Sequence, residues 1–150
     1  KKNGQSYFGY KNHAKVDRKS KLITNYAASD ASVHDSQALE DLLDEGDAHH
    51  DLFGDSAYSS EDTDIKLKRR KIRNRIHEKG YRNHPLTAEQ EEDNRKKSKI
   101  RVRVEHVFGF MENTMKAGLI RCIGIARAAT AIGLMNLTYN LCRSEQLCRA

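Results

Sequence analysis

Two carboxylates stand out by type and setting. Asp55 lies in the run G-D-S-A-Y (54–58), and Glu105 lies in R-V-R-V-E-H-V-F-G (101–109). Acids drawn from two well-separated stretches can meet in a fold and hold a hard divalent cation such as magnesium, which prefers oxygen ligands. Two such ions about 3.5–4 Å apart would activate a nucleophile and stabilise the leaving oxygen of a phosphodiester. Simpler roles compete at both positions. An Asp that follows a strand commonly caps a turn, and a Glu on a helix edge commonly pairs with an Arg one turn away. At this stage both readings of each residue stay open.

The other chemistry-bearing residues are weaker candidates. Asp17 suits the turn of a hairpin. His34 and Asp35 have the types of an acid–base or metal pair, but a helix cap accounts for Asp35. His49 and His50 have no partner at zinc spacing. The basic run Lys66, Lys68, Arg69, Arg70, Lys71, Arg73 and Arg75, continued by Lys79 and Arg82, is the best candidate for contacts to a nucleic-acid backbone. Such contacts are salt-sensitive and carry little sequence discrimination. The competing reading is an ordinary solvated face. Tyr58 and Tyr81 suit either base stacking or the rim of a core. No phosphate-cradling glycine loop and no serine-hydrolase elbow is present, which argues against ATP use and serine hydrolysis.

Asp55 and Glu105 must be positioned by particular elements. Residues 6–16 and 22–29 alternate as strands around the turn chemistry of 17–21, which predicts a hairpin. A helix follows, capped by Asp35 or Ser36, carrying Leu39, Leu42 and Leu43 on one face and ending at Gly46. A short buried strand around Leu52 and Phe53 ends at Asp55, the end of an α/β sheet where ligand sites collect. Ser59 or Ser60 caps a second helix with Glu61 and Asp62 in its first turn. A further short strand is expected near Arg73 to His77. Thr87 and Gln90 have capping-box spacing and open a long helix. Ile100, Val104, Val107, Phe108 and Met111 then form its apolar stripe, which puts Glu105 at the edge of the core on the same flank as Arg101 and Glu112. Residues 125–147 read as a closing helix. Strands first, then helices, with a crossover before the third strand, predict a mixed α/β sheet flanked by helices.

Composition narrows the partner. The 150 residues include 27 Lys and Arg against 21 Asp and Glu, for a net charge of +6. That excess points to a polyanion, most commonly nucleic acid. Three unpaired-looking cysteines and no C-x-x-C pair argue against a disulfide framework and a zinc site. No apolar stretch reaches the roughly 18 residues of a membrane span. The expectation is one soluble, cytoplasmic domain over 1–150, a fragment beginning inside a larger protein.

Three stretches together resemble a known family. Residues 7–43 ("YFGYKNHAKVDRKSKLI…ASDASVHDSQALEDLL"), 52–60 ("LFGDSAYSS") and 84–111 ("HPLTAEQEEDNRKKSKIRVRVEHVFGFM") are similar to the C-terminal catalytic half of bacterial insertion-sequence DDE transposases, in the insertion-sequence five group. The resemblance runs from Gly4 to about Leu141. It implies a ribonuclease-H-like fold lacking its first strand, and a partial catalytic domain over 1–150. It implies two magnesium or manganese ions in the full-length enzyme, held by three acids, with DNA as the partner (transposon ends and target), no membrane, and action as a homodimer. The family's second Asp falls on Asp55 and its Glu on Glu105, as catalytic metal ligands. Arg101 matches a basic position that acts on the DNA backbone, and Arg103 with the 66–75 run would neutralise phosphates. Ser98 and Glu112 stand where related groups place a Tyr and a Lys. The family's first Asp belongs to a strand upstream of this region, and Asp17 is not its equivalent. The expectation is therefore phosphodiester hydrolysis and strand transfer by the parent and inactivity of this chain alone. The alternatives are a non-catalytic DNA-binding or regulatory remnant, or an unrelated metal-dependent nuclease of the same fold.

Overall fold

A computed structural model describes residues 9–82, 84–118 and 120–149. The start of the first expected strand, residues 6–8, lies outside the described residues. Strand β1 (Tyr10–Val16) pairs antiparallel with β2 (Ile23–Asp30), from Tyr10↔Asp30 to Val16↔Ile23, with a register irregularity between Lys15 and Val16. Asp17 closes the hairpin. Its carboxylate accepts from the Ser20 amide at 2.7 Å and the Lys19 amide at 3.1 Å, and the Ser20 amide and hydroxyl hold its carboxyl below the usual carboxylate range. Asp17 is thus a turn residue, and Lys21 takes the left-handed conformation the reversal needs (φ 61°).

Helix α1 (Asp35–Leu42) buries Ala38, Leu39 and Leu42. Both ends of this helix differ from the sequence expectation. The cap is His34, whose Nδ1 accepts from the Ser36 amide at 3.3 Å, and Asp35 is the first helical residue, paired with Lys11 at 2.8 Å. The helix stops at Leu42, before Gly46, because Asp44 opens a separate 3₁₀ turn (Glu45–Asp47) with its own capping box. Lys15 ties Asp44 and Asp47 to β1.

Strand β3 is only Asp51–Leu52. It runs parallel to β4 (Arg73–Asn74), with helix α2 (Glu61–Arg69, capped by Ser60) as the crossover. The fold is mixed α/β, as expected, but the single mixed sheet is not. Among the described residues β1 pairs only with β2 and β3 only with β4, so two small sheets stand apart. The third strand stops two residues after it starts, too short to carry a wider ladder.

Helix α3 (Ala88–Asn113) opens with the Thr87–Gln90 capping box in both directions, and α4 (Ile125–Cys148) closes the chain. Two apolar clusters hold these parts. One joins Leu39, Leu43, Leu67, Ile72 and Ile76, with Leu52 and Tyr58 against it. The other joins Ile23, Val107, Met111 and Tyr139, with Phe108 and Phe110 against it. Polar side chains seat α4 on the hairpin. Asn136 and Asn12 exchange amide hydrogen bonds at 2.7 and 3.2 Å, and Asn140 brackets the Ile23 backbone at 2.8 and 2.9 Å. The three cysteines are free, and among the described residues no helix is long and apolar enough to cross a membrane.

Candidate active site

Each carboxylate stands on its own apolar cluster. Asp55 follows β3 by three residues and caps a 3₁₀ turn (Ser56–Tyr58), its Oδ1 accepting from the Ser56 amide at 2.6 Å. The expected strand up to Asp55 is thus a strand to Leu52 and then a loop. Gly54 permits the close packing there, since a Cβ would lie 3.2 Å from Ile76 Cγ1. The Gly54 carbonyl accepts from the His77 amide at 3.1 Å, and Tyr58 seats the turn on the first cluster. Glu105 rides on α3 two residues before Val107, which is fully buried in the second cluster. The stripe expected on α3 is real, with Val107 and Met111 at its centre.

The two acids meet at Arg101. Its Nη1 lies 3.6 Å from Asp55 Oδ2 and its Nη2 lies 2.8 Å from Glu105 Oε1. Both carboxylates are about half exposed, so water still reaches them, while Arg101 is two-thirds covered (32 % exposed). Asp55 divides its oxygens between roles: Oδ1 caps the turn and Oδ2 faces the guanidinium. The cap and the ion pair expected as simpler roles are both present, and Arg101 contacts both acids.

Around this pair lie His77, Lys97 and His13, which sequence reasoning does not single out, and Tyr58, which it does. His77 Nε2 sits 3.3 Å from Ser98 Oγ, and burial, then the Arg101 charge, lowers its pKa. Lys97 is nearly buried, reaching Asp93 at 2.8 Å and the Ile76 carbonyl at 3.3 Å. Beneath Asp55, Tyr58 Oη lies 3.3 Å from His13 Nδ1, and His13 Nε2 lies 2.8 Å from Ser29 Oγ. Burial, then the charges of Asp35 and Asp55, push the Tyr58 hydroxyl up to about 12. No spacing signal marks His77 or His13, because their partners come from distant segments. Beside Glu105 opens a cleft of about 470 Å³ bordered by Lys21, His106, Tyr139 and Arg143.

The basic run does not form one free strip. Lys66 and Arg70 reach Glu40, and Arg73 and Arg75 reach Asp51 at 2.8 and 3.5 Å. Lys68, Arg69 and Lys71 are exposed and take part in no ion pair among the described residues, and neither does Arg103 on α3. Tyr81 is largely exposed with Lys79 over its ring, whereas Tyr58 is in the core rim. His49 takes a left-handed backbone (φ 67°), and among the described residues it meets no metal-ligand cluster.

Two half-exposed carboxylates that share one guanidinium thus stand on a mixed α/β frame. The family model described as "Transposase DDE domain" matches residues 1–141, and the chain belongs to that family. It is 28% identical over 144 residues to the transposase for insertion sequence element IS1106 of Neisseria meningitidis serogroup B, a match covering 96% of this chain and 50% of that relative. The chain thus spans about half the length of that relative. No solved structure matches significantly.

Proposed function

We propose that this chain is the metal-binding part of an insertion-sequence transposase's catalytic domain, with Asp55 and Glu105 as two of the acids that hold divalent cations. The observation that supports this most is the convergence of both carboxylates on one guanidinium. That contact brings acids from two elements together around a single positive group. Their donors are all oxygen, which suits magnesium or manganese. Bound there, such ions would supply nucleophile activation and leaving-oxygen stabilisation for phosphodiester hydrolysis and strand transfer in the full-length parent. Lys68, Arg69, Lys71 and Arg103 would take DNA phosphates, and Arg101 would take one where it is free of the acids.

The two separate sheets fit a ribonuclease-H-like frame that lacks one strand. β1 has no partner on the side away from β2, and β3 none on the side away from β4, among the described residues. One strand inserted between them would join four short strands into a single mixed sheet and bring a third acid to the site. Without it the donor set is short: among the described residues no group of three or more His, Cys, Asp or Glu is placed to hold a metal. That observation also favours the second reading, a DNA-binding remnant without chemistry.

A strand-transfer assay on insertion-sequence ends separates the two. Full-length parent with Mg²⁺ should join ends to target, Asp55→Asn and Glu105→Gln parents should not, and the 150-residue chain alone should be inactive. Transfer by the doubly substituted parent would sink the metal role. Hydrolysis without joining would place the chain among nucleases, and an inactive parent that still binds DNA would favour the remnant.

A further inference from the structure

We propose that Arg101 is the chain's own counter-cation for the Asp55–Glu105 pair, displaced when a divalent ion binds and then released to a DNA phosphate. Metal and DNA binding would thereby promote one another through one side chain. The inference rests on the reading of Asp55 and Glu105 as metal ligands, and deepens it.

Four features carry it. The guanidinium touches both carboxylates at once, the place a shared cation would take (3.6 and 2.8 Å). Its Nε is buried and has no hydrogen-bond partner, so the bridging pose leaves a donor unsatisfied. About a third of the side chain is exposed, which gives the planar head a path outward. Charge also favours exchange: two carboxylates and one guanidinium leave one negative charge, whereas a dication neutralises the pair and repels the guanidinium. An arginine turned out of such a pair presents a fork suited to a phosphate. Arg103, two residues on, is exposed and touches neither acid, so displacement is specific to Arg101. Coupling of this kind is reciprocal: if metal strengthens DNA binding through Arg101, DNA strengthens metal binding by the same factor.

Calorimetric titration of the full-length parent chain with Mn²⁺ tests it, using Arg101→Met, Lys99→Met, Asp55→Asn and Glu105→Gln in that chain. Arg101→Met keeps the aliphatic stem and removes the rival charge, and should bind Mn²⁺ roughly tenfold more tightly than the unsubstituted chain. Lys99→Met removes an equal charge from the same helix and should stay within about twofold, since a screened surface charge contributes little. Mn²⁺ should also raise affinity for a short random-sequence duplex in the unsubstituted chain and not in Arg101→Met. If Arg101→Met binds Mn²⁺ no better while Glu105→Gln abolishes binding, the displacement is wrong and the metal reading stands. If Asp55→Asn and Glu105→Gln bind Mn²⁺ like the unsubstituted chain, the metal reading itself is wrong. Should Arg101→Met not fold, Arg101→Lys serves: its single ammonium cannot span both oxygens, and an unchanged Mn²⁺ affinity there overturns the proposal.

Discussion

Arg101 and Glu105 form an i,i+4 ion pair on α3 at 2.8 Å, and the same guanidinium reaches across to Asp55, which belongs to another element. A local helix pair is thereby turned into a junction between two apolar clusters. Leu67 anchors one side and Val107 the other, both fully buried. The acids themselves contribute little to that frame, because each is about half solvated.

Asp55→Asn and Glu105→Gln should therefore leave the fold nearly as stable as before, changing unfolding free energy by less than about 1 kcal/mol, as for exposed ion pairs. Urea denaturation checks this. A much larger loss in either variant would make the residue structural.

Leu67→Ala should cost about 2–5 kcal/mol, the range for emptying a well-packed site of a Leu. It lies on the cluster that carries Tyr58 and hence the Asp55 turn. The same urea measurement should show a lower midpoint, and DNA-dependent activity of the parent should fall with it.

Asn136→Ala should cost about 1–3 kcal/mol, because it strands the Asn12 amide that it pairs with in both directions. Asn12→Ala combined with Asn136→Ala should cost less than the two single losses together. Simple additivity in that double-mutant cycle would show that the amides do not act as a pair.

His13 sets a pH response. Burial lowers its pKa from the usual 6.5, with Asp35 raising it and Lys11 lowering it less strongly. The unfolded chain then binds the proton more readily than the folded one. Stability from this residue is full above about pH 6.5 and declines as pH falls from there toward the folded-state value. Protonation would also make both ring nitrogens donors toward Tyr58 and Ser29. Melting temperature measured from pH 8 to 5 should fall on the acid side, and His13→Gln should flatten that limb. His77, whose pKa is lowered first by burial and then by the Arg101 charge, should leave a residual slope of the same sign.

Salt dependence distinguishes the free cations from the tied ones. Replacing Lys68, Arg69 or Lys71 by Ala should each reduce the log–log slope of DNA affinity against salt by about 0.9. Arg73→Ala should do less, because its charge is already met by Asp51. Equal effects from all four would show that the ion pairs open on DNA binding.

The sequence made the local parts of this structure legible. The Thr87–Gln90 box and the Val107–Met111 stripe are written within one helix, and Asp17 declares its turn within four residues. What it left hidden depends on distant partners. The basic run reads as seven cations because Glu40 and Asp51, which engage four of them, lie elsewhere in the chain. His77 meets Ser98, and His13 meets Tyr58, only after folding. Among the described residues the expected single sheet does not form, because strand pairing is non-local and β3 stops at Leu52. The cap of α1 is His34, one residue before Asp35 and two before Ser36, and Asp or Ser is the type a cap normally signals.

The most direct measurement is a crystal structure of the full-length parent grown or soaked with Mn²⁺, with anomalous differences collected at the manganese edge. A peak whose coordination includes an oxygen of Asp55 and an oxygen of Glu105, with Arg101 turned away, is the expected result. Manganese bound elsewhere, or no peak while Arg101 still bridges the two acids at saturating Mn²⁺, would contradict it.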